Sequence, residues 1–245
     1  MQSQLNVFPA LMVVTGLALM APSPPATANP STVLYNAPPP PSDIGAPTGR
    51  RDGGASRGSC PEYVDLAALV PITDGTVWAQ TTAAQPTLWF YLPTAITPEQ
   101  PMELVLQTAT DEMLYMTTVT ADVEAGNIAI ALPETVTLPI GEPHYWTLAL
   151  YCDPEQPASS VFVSGTIERV AADVEPLLAA TIPSPALAQD YASLGVWHDA
   201  LTVLGALQQT DVPDTEAQVM WSTLLEQIGL EAAAAAPLQP CCEAK

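Results

Sequence analysis

Short runs of alternating apolar and polar residues, broken by Pro, Gly and Asp, cover residues 63–170. A period of two places successive side chains on opposite faces of a strand. In residues 145–152, for example, Trp146, Leu148 and Leu150 share one face. By this pattern the predicted strands are residues 64–70, 75–81, 87–92, 102–108, 113–120, 127–132, 145–152 and 160–170. Such strands at short spacing predict a mainly β fold, specifically an antiparallel immunoglobulin-like β-sandwich.

The period changes to that of a helix after these strands. Residues 185–194 and 197–208 predict an antiparallel helical hairpin that turns at Gly195. The spacing of Tyr191, Gly195 and Trp197 is similar to that of one tetratricopeptide unit. Because a solenoid needs about three such units, we expect the hairpin to pack on the sandwich or on the helices of another protein.

One more helix and a tail complete the small C-terminal α-helical region. Asp214 is a plausible N-cap for a helix over residues 215–229, and Gly229 is a C-terminal signal. Residues 232–245 are expected to be a frayed, flexible tail. The adjacent aromatic residues of Trp89-Phe90-Tyr91 cannot all point inward, so at least one is expected to lie under a helix or to form a binding patch.

The N-terminus has the pattern of a secretory signal peptide. Residues 7–20 form an apolar run of about fourteen residues, which is shorter than the roughly 20 needed to span a bilayer. Small residues follow, with Ala26-Thr27-Ala28 as a cleavage motif. The sequence therefore predicts an exported protein, periplasmic or extracellular, with no membrane insertion after cleavage behind Ala28.

A Pro-rich stretch follows, with nine of the 27 prolines within residues 22–47. Proline favours extended polyproline II, so the stretch is either a semi-rigid spacer or a disordered leader. The predicted organisation is a signal peptide (1–28), a Pro-rich linker with a basic Gly/Arg loop (29–59), a β-sandwich domain (60–170), a helical region (171–231) and a flexible tail (232–245).

The charge balance is strongly acidic, with 26 Asp and Glu against 5 Lys and Arg, a formal net charge of -21. This argues against nucleic acid and against anionic membrane surfaces as partners, because both are bound through Lys and Arg. Three of the basic residues, Arg50, Arg51 and Arg57, lie in one Gly-rich loop. They are candidate ligand- or partner-binding residues, either as a clamp on the protein's own acidic surface or as a site for an external carboxylate, sulfate or phosphate.

The four cysteines allow three disulfide connectivities. In an exported protein Cys60 and Cys152 are the preferred pair, since one opens the predicted sandwich and the other ends a strand on its inward face. Cys241 and Cys242 are adjacent in a polar tail and could link two chains or stay free.

The basic loop also carries a family resemblance. Further matching segments follow in order: Leu69-Val70-Pro71, Thr87-Leu88-Trp89-Phe90-Tyr91-Leu92-Pro93, Glu103-Leu104-Val105-Leu106, Tyr145-Trp146 leading to Cys152-Asp153, residues 161–170 and residues 191–201. Over about residues 45–230 the chain resembles a cyanobacterial secreted family catalogued as domain of unknown function 928. The resemblance implies secretion and supplies no activity, because the family has none assigned.

Residue patterns for catalysis are weak. Gly54-Ala55-Ser56-Arg57-Gly58 matches the G-x-S-x-G nucleophile elbow but lacks the strand before it and the helix after it. His198 and Asp199 are neighbours on a predicted helix and point about 100° apart, so they do not form a relay. The chain has two histidines and no metal-ligand spacing, so no metal and no cofactor are predicted.

These observations favour an exported, non-enzymatic protein-interaction protein, an adaptor or structural component of the cell envelope, with an unidentified protein partner. The alternative is an anionic-ligand or carbohydrate-binding module, in which the arginines of the basic loop grip an anionic glycan. A hydrolase is the least favoured of the three classes.

Overall fold

The computed structural model describes residues 33–41, 49–53, 60–153, 155–156, 158–172, 182–210 and 212–242. The strands in these residues are β1 (Ala67–Ala68), β2 (Ile72–Thr73), β3 (Thr76–Thr81), β4 (Thr87–Leu92), β5 (Met102–Thr108), β6 (Met113–Val119), β7 (Gly126–Ala131), β8 (Pro143–Tyr151) and β9 (Ser160–Arg169). A short 3-10 helix, Pro61–Tyr63, precedes β1. The α-helices are α1 (Pro185–Ser193), α2 (Trp197–Gln208), α3 (Thr215–Gln227) and α4 (Glu231–Ala235).

The strands form two sheets, so the protein is mainly β with a small C-terminal helical part. One sheet has three strands in the order β1-β4-β7, and the other has six in the order β2-β3-β9-β8-β5-β6. The named strands pair antiparallel, except that β3 runs parallel to β9. A purely antiparallel sheet was expected from the local pattern. That expectation is wrong at this pairing, because local alternation carries no information on which distant strand becomes a neighbour.

Large side chains fill the space between the two sheets. The Phe90 ring of β4 meets the Trp146 ring of β8 edge to face, with centroids 5.7 Å apart. Gly165 of β9 lies opposite Trp146 in the register. A Cβ at Gly165 would overlap the indole, so the absence of a side chain leaves room for the tryptophan ring against the strand. Burial of these aromatic surfaces holds the sheets together.

The helices cover the other face of the three-stranded sheet. Trp89 of β4 points to this side and meets Trp221 of α3, with ring centroids 5.0 Å apart. A Cβ at Gly205 of α2 would overlap the Trp89 ring, so this glycine permits close approach of helix and sheet. Trp89 is therefore the aromatic residue that lies under a helix, one of the two positions expected from the sequence.

The predicted N-cap of α3 is present. The Asp214 side chain accepts hydrogen bonds from the backbone N–H groups of Glu216 and Ala217, at 2.9 and 3.0 Å. These N–H groups belong to the first turn, where a helix has no internal acceptors. The cap fixes the start of α3 at the residue that the sequence indicates.

Part of the predicted Pro-rich linker packs against the helices. In residues 33–41, Val33 is fully buried. Gln227 of α3 donates a hydrogen bond from Nε2 to the Val33 carbonyl at 2.8 Å, and the Tyr35 ring lies 4.7 Å from that of Trp197. The spacer expectation is wrong for these residues, because proline content sets backbone stiffness but does not exclude side-chain burial.

The predicted tail also contains ordered structure. Residues from Glu231 form α4, in which Ala233 and Ala234 are buried. Asn127 of β7 donates from Nδ2 to the Ala233 carbonyl at 2.8 Å, and its backbone carbonyl accepts from Gln239 N at 2.8 Å. The frayed-tail expectation is wrong for residues 232–242, because these contacts with β7 stabilise a segment whose composition alone indicates fraying.

Candidate functional site

The described part of the basic loop joins the two sheets. Arg50 exchanges two backbone hydrogen bonds with Ser164 of β9, at 2.8 and 2.7 Å. Two residues later Asp52 forms a bridge with Ala67 of β1. Residues 49–53 therefore have a fixed backbone, which determines where the arginine side chains lie.

Arg50 is exposed and its side chain lies along the protein surface. Its guanidinium carbon is 4.7 Å from the centroid of the Phe162 ring, and Nη1 donates to the Gly53 carbonyl at 3.3 Å. A guanidinium over an aromatic face is a cation–π contact. The contact leaves donors directed to solvent, so Arg50 can still bind an anionic group.

Arg51 is turned into the protein. Its side chain is 14% exposed, and Nη1 donates to the Ile228 carbonyl at 2.5 Å. Ile228 is the C-cap of α3, where a positive charge satisfies a free carbonyl and interacts favourably with the helix dipole. Arg51 thus clamps a helix end, and its Nε also lies 3.8 Å from the carboxylate of the neighbouring Asp52, so its one acidic partner among the described residues is in its own segment. The third candidate, Arg57, lies outside the described residues.

A disulfide joins Cys60 to Cys152, with a sequence separation of 92 residues. It connects the start of the β region to the residue after β8. Cys241 and Cys242 are bonded to each other in the C-terminal segment. A disulfide is consistent with an exported protein. Across the described residues, no helix has both the length and the apolar character needed to cross a membrane.

His198 and Asp199 line a cavity of about 190 Å³ between α2 and the β3–β4 connection. The Asp199 carboxylate accepts hydrogen bonds from the Thr81 hydroxyl, at 2.6 Å, and from the backbone N–H and hydroxyl of Thr82. Burial raises the pKa of Asp199, and the bonds from the threonines oppose that shift. The carboxylate therefore has its acceptor capacity largely occupied by the protein itself.

The His198 ring is 1% exposed, and neither ring nitrogen has a hydrogen-bond partner of good geometry among the described residues. Burial lowers its pKa to about 4, while the nearby Thr87 backbone favours the charged form slightly. His198 is thus neutral near pH 7. In the described lining, the Thr81 and Thr202 hydroxyls donate hydrogen bonds to the Asp199 carboxylate and to the His198 carbonyl, respectively. Ser56 of the elbow-like motif lies outside the described residues.

The described residues contain no group of three or more His, Cys, Asp or Glu arranged to hold a metal ion. The other histidine, His144, is buried in β8, where its Nδ1 lies 2.9 Å from the Glu142 carbonyl oxygen. Burial lowers the pKa of His144 as well. Its side chain points into the core between the two sheets, on the same face of β8 as the other buried residues of that strand.

The outward side of the six-stranded sheet differs from the rest of the surface. The strand register and the alternation of side chains together define which residues of β6, β5, β8 and β9 lie on this side. We call this group the open face; it comprises Met113, Met116, Thr118, Glu103, Val105, Gln107, Tyr145, Thr147, Ala149, Tyr151, Ser164 and Phe162. The open face does not extend to β3 at the other end of the sheet, because Trp78 and Thr166, which lie on the same side there, are buried.

The open face is poor in charge. Its one carboxylate, Glu103, accepts a hydrogen bond from the Tyr151 hydroxyl at 3.1 Å. Met113, Met116 and Phe162 are 56, 53 and 39% exposed. Aromatic residues, Met and Arg, together with a scarcity of carboxylates, are typical of the central part of a protein interface. Sequence analysis missed these residues, although the apolar run at the start of β6 was a usable signal.

This architecture defines a class of two-sheet β proteins in which helices cover the outer face of the smaller, three-stranded sheet. The family comparison agrees with the earlier resemblance, because the profile of the family described as Domain of Unknown Function (DUF928) matches residues 52–238. The chain belongs to this family. No curated protein matches the chain.

Proposed function

We propose that this protein is an exported, non-enzymatic protein-association module of a cyanobacterial cell envelope, periplasmic or extracellular. The observation that carries the proposal is the open face. In a chain with 26 Asp and Glu, its twelve residues include one carboxylate, and that group is hydrogen-bonded within the face. Burial of this face against a partner would remove exposed Met and Phe surface from water at a low cost in charge desolvation.

Export is supported by the predicted signal peptide and by the Cys60–Cys152 disulfide. The immunoglobulin-like form of the sandwich is part of the same proposal, and it rests on the two packed sheets and on the antiparallel core of β5, β8 and β9. Arg50 stands at the margin of the open face, so it contributes a cation at the rim of the interface. Arg51 acts on the protein itself, through the end of α3.

Site-specific photo-crosslinking tests the location of the interface. A photoreactive residue replaces Met116 in the full chain, expressed in its own cells, and the matched control replaces Val219 on α3. The two positions are 53 and 50% exposed. We expect a discrete protein adduct from position 116 and none from position 219. An adduct from position 219 alone would move the interface to the helices, and no adduct from either would contradict association.

The second candidate is a carbohydrate- or anion-binding module, and the observation that favours it is the Arg50 guanidinium over Phe162, 4.7 Å from the ring centroid. A cation beside an aromatic surface can hold an acidic sugar. Binding of an anionic polysaccharide would weaken steeply as salt rises and would be lost in Arg50→Ala. Association through the open face would tolerate salt and would depend on Met116.

A further inference from the structure

We propose that the outer edge of β6 binds an extended, positively charged segment of another protein, which adds to the six-stranded sheet as a further strand. The inference rests on the proposed function, association through this sheet, and it names the binding mode and the chemistry of the partner. In this mode, backbone hydrogen bonds supply affinity and alternate side chains supply specificity.

The backbone of β6 has hydrogen-bonding groups available for such a strand. Directly before β5, the Pro101 carbonyl accepts from the N–H of Tyr151 in β8, whereas Thr108 at the end of β5 donates its N–H to the carbonyl of Glu112, the residue before β6. Even-numbered residues of β5 therefore bond to β6, because the direction alternates along a strand. Their partners in β6 are Tyr115, Thr117 and Val119.

The N–H and C=O groups of Met116 and Thr118 consequently point away from β5. In the described part of the chain no strand pairs with this side of β6, which is the last strand in the order of its sheet. These outward groups recur at every second residue, which is the repeat that an added strand requires.

The edge lacks most of the usual protections against pairing. Natural edge strands carry Lys, Pro, inward charges or bulges, or they are very short. β6 has seven residues, with no Pro and no charged residue among them. Its one irregularity, a register shift opposite Leu106 and Gln107, lies before Met116 and Thr118 and leaves them in regular pairing. Such an exposed apolar edge is a predicted pairing site.

Charge decides between a second copy of this chain and another protein. Asp111 and Glu112 precede β6, Asp122 and Glu124 follow it, and all four are exposed. Two copies joined edge to edge would bring these acids together, with a net charge of -21 on each chain. An incoming strand with Lys or Arg at both ends complements both acidic ends, and its central side chains can pack on Met116, whose flexible side chain adapts to varied surfaces.

An NMR titration of the full, isotope-labelled chain tests the inference. The probe is a ten-residue peptide of alternating Thr and Val with two Lys at each end. Two control peptides carry Glu in place of Lys, or a central run of four prolines that removes the strand's donors. We expect the Lys peptide to shift the amide signals of Met116 and Thr118 and to slow their hydrogen exchange. The control peptides should bind at least about tenfold more weakly.

A matched pair of variants isolates the backbone contribution. Thr118→Pro removes an outward N–H while keeping the bonds that β6 makes to β5, and proline is tolerated on the solvent side of an edge strand. The affinity of this variant for the Lys peptide should be about tenfold lower than that of the original chain, which corresponds to the loss of about one hydrogen bond. Thr118→Val keeps the N–H and should bind within about twofold of the original chain. Unchanged signals outside β6 show that each variant is folded.

Several results would overturn the proposal: equal binding by Thr118→Pro, equal binding of the Glu peptide, signal changes confined to other elements, or slow exchange of Met116 and Thr118 in the free protein, which would mean that the edge is already covered. The crosslinking experiment separates the two proposals. Adducts at position 116 without binding of the Lys peptide would leave association standing and remove strand addition. Failure of both would remove association itself.

Discussion

Packing of α2 on the sheets requires a neutral imidazole at His198. His198 is 1% exposed, and burial lowers its pKa to about 4 from the ordinary 6.5. The unfolded chain therefore binds a proton between these pH values that the folded chain does not bind. By linkage, stability is complete above about pH 6.5 and is lost as pH falls toward 4. The shift corresponds to roughly 3 kcal/mol.

Replacement of this side chain by an apolar one should remove that pH dependence. We expect the difference in unfolding free energy between the original chain and His198→Leu to change by about 3 kcal/mol between pH 7 and pH 4, in favour of the variant at low pH. Urea unfolding at a series of pH values measures it. The raised pKa of Asp199 makes the folded state less stable as pH rises, which is opposite to the effect of His198. Because Asp199 is present in both proteins, its contribution to the difference cancels to first order.

His144→Leu is the matched control, because His144 is also buried but its Nδ1 lies beside the Glu142 carbonyl. The pKa of His144 is lowered by burial too, but the Glu142 carbonyl and charge oppose that shift. His144→Leu should therefore reduce the pH dependence of the unfolding free energy by less than His198→Leu does. Parallel curves for the original chain and His198→Leu would contradict the assignment of the titrating group. The sequence could place His198 and Asp199 next to each other on a helix, but burial depends on contacts with β3 and β4, which a local pattern does not encode.

Arg51 and the end of α3 belong to the scale of the element. The guanidinium supplies a donor to the Ile228 carbonyl, one of the last carbonyls of the helix, which have no internal partners. Arg51→Met keeps much of the apolar length and removes the donor. We expect it to lower the free energy of unfolding by about 1–3 kcal/mol, as for a hydrogen bond to a charged group. Chemical denaturation followed by circular dichroism gives the value.

Arg50→Met is the control from the same segment, since Arg50 is exposed and its guanidinium lies over Phe162. A cation–π contact at an exposed site contributes about 0.5–1 kcal/mol, so this variant should stay close to the original chain in stability. An equal loss from both variants would mean that the segment, rather than the Arg51 side chain, carries the effect. A greater loss from Arg50→Met would reverse the assigned roles.

Elements were predictable from the sequence to the extent that their own residues define them. β4 and β5 have the predicted limits, because Pro86 and Pro93 flank β4 and Pro101 directly precedes β5. α2 agrees for the same kind of reason, with helical periodicity over its whole length. The position of β6 at the edge of its sheet could not be predicted, because the order of strands depends on partners that are distant in the chain. The open face, which carries the proposed function, was missed on that account.

At the scale of the whole molecule, one covalent bond spans much of the β region. The disulfide between Cys60 and Cys152 closes a separation of 92 residues. In the loop-entropy model, such a closure stabilises the folded state by about 4–5 kcal/mol, mainly by restricting the unfolded chain. Cys60→Ala combined with Cys152→Ala should lower the unfolding free energy by an amount up to this value, measured by urea titration without reductant.

The Cys241→Ala/Cys242→Ala variant is a control with the same number of substitutions. The two cysteines are adjacent in the chain, so their bond closes almost no loop in the unfolded chain and its removal should change stability by less than about 1 kcal/mol. Equal destabilisation by both double variants would indicate an effect of side-chain packing. The same stability with and without the Cys60–Cys152 bond would contradict the entropic account.

Long-range organisation was the part that sequence reasoning reached least. The parallel pairing of β3 with β9 joins residues about 90 positions apart, such as Trp78 and Thr166, with no local signature. The prolines of residues 33–41 predict a spacer or a disordered leader, yet Val33 is buried against the helices. Composition describes how stiff a segment is, whereas burial depends on what surface lies within its reach.

The packing of residues 33–41 on the helical region has a practical consequence for orientation. The helices and the open face lie on opposite sides of the stacked sheets, since the helices cover the three-stranded sheet and the open face belongs to the six-stranded one. A molecule immobilised at Leu34, which is 64% exposed, is therefore held on the helical side and presents β6 to the solution. In a surface-binding assay, coupling at this position leaves the sheet edge free, whereas coupling at Met116 would hide it against the support.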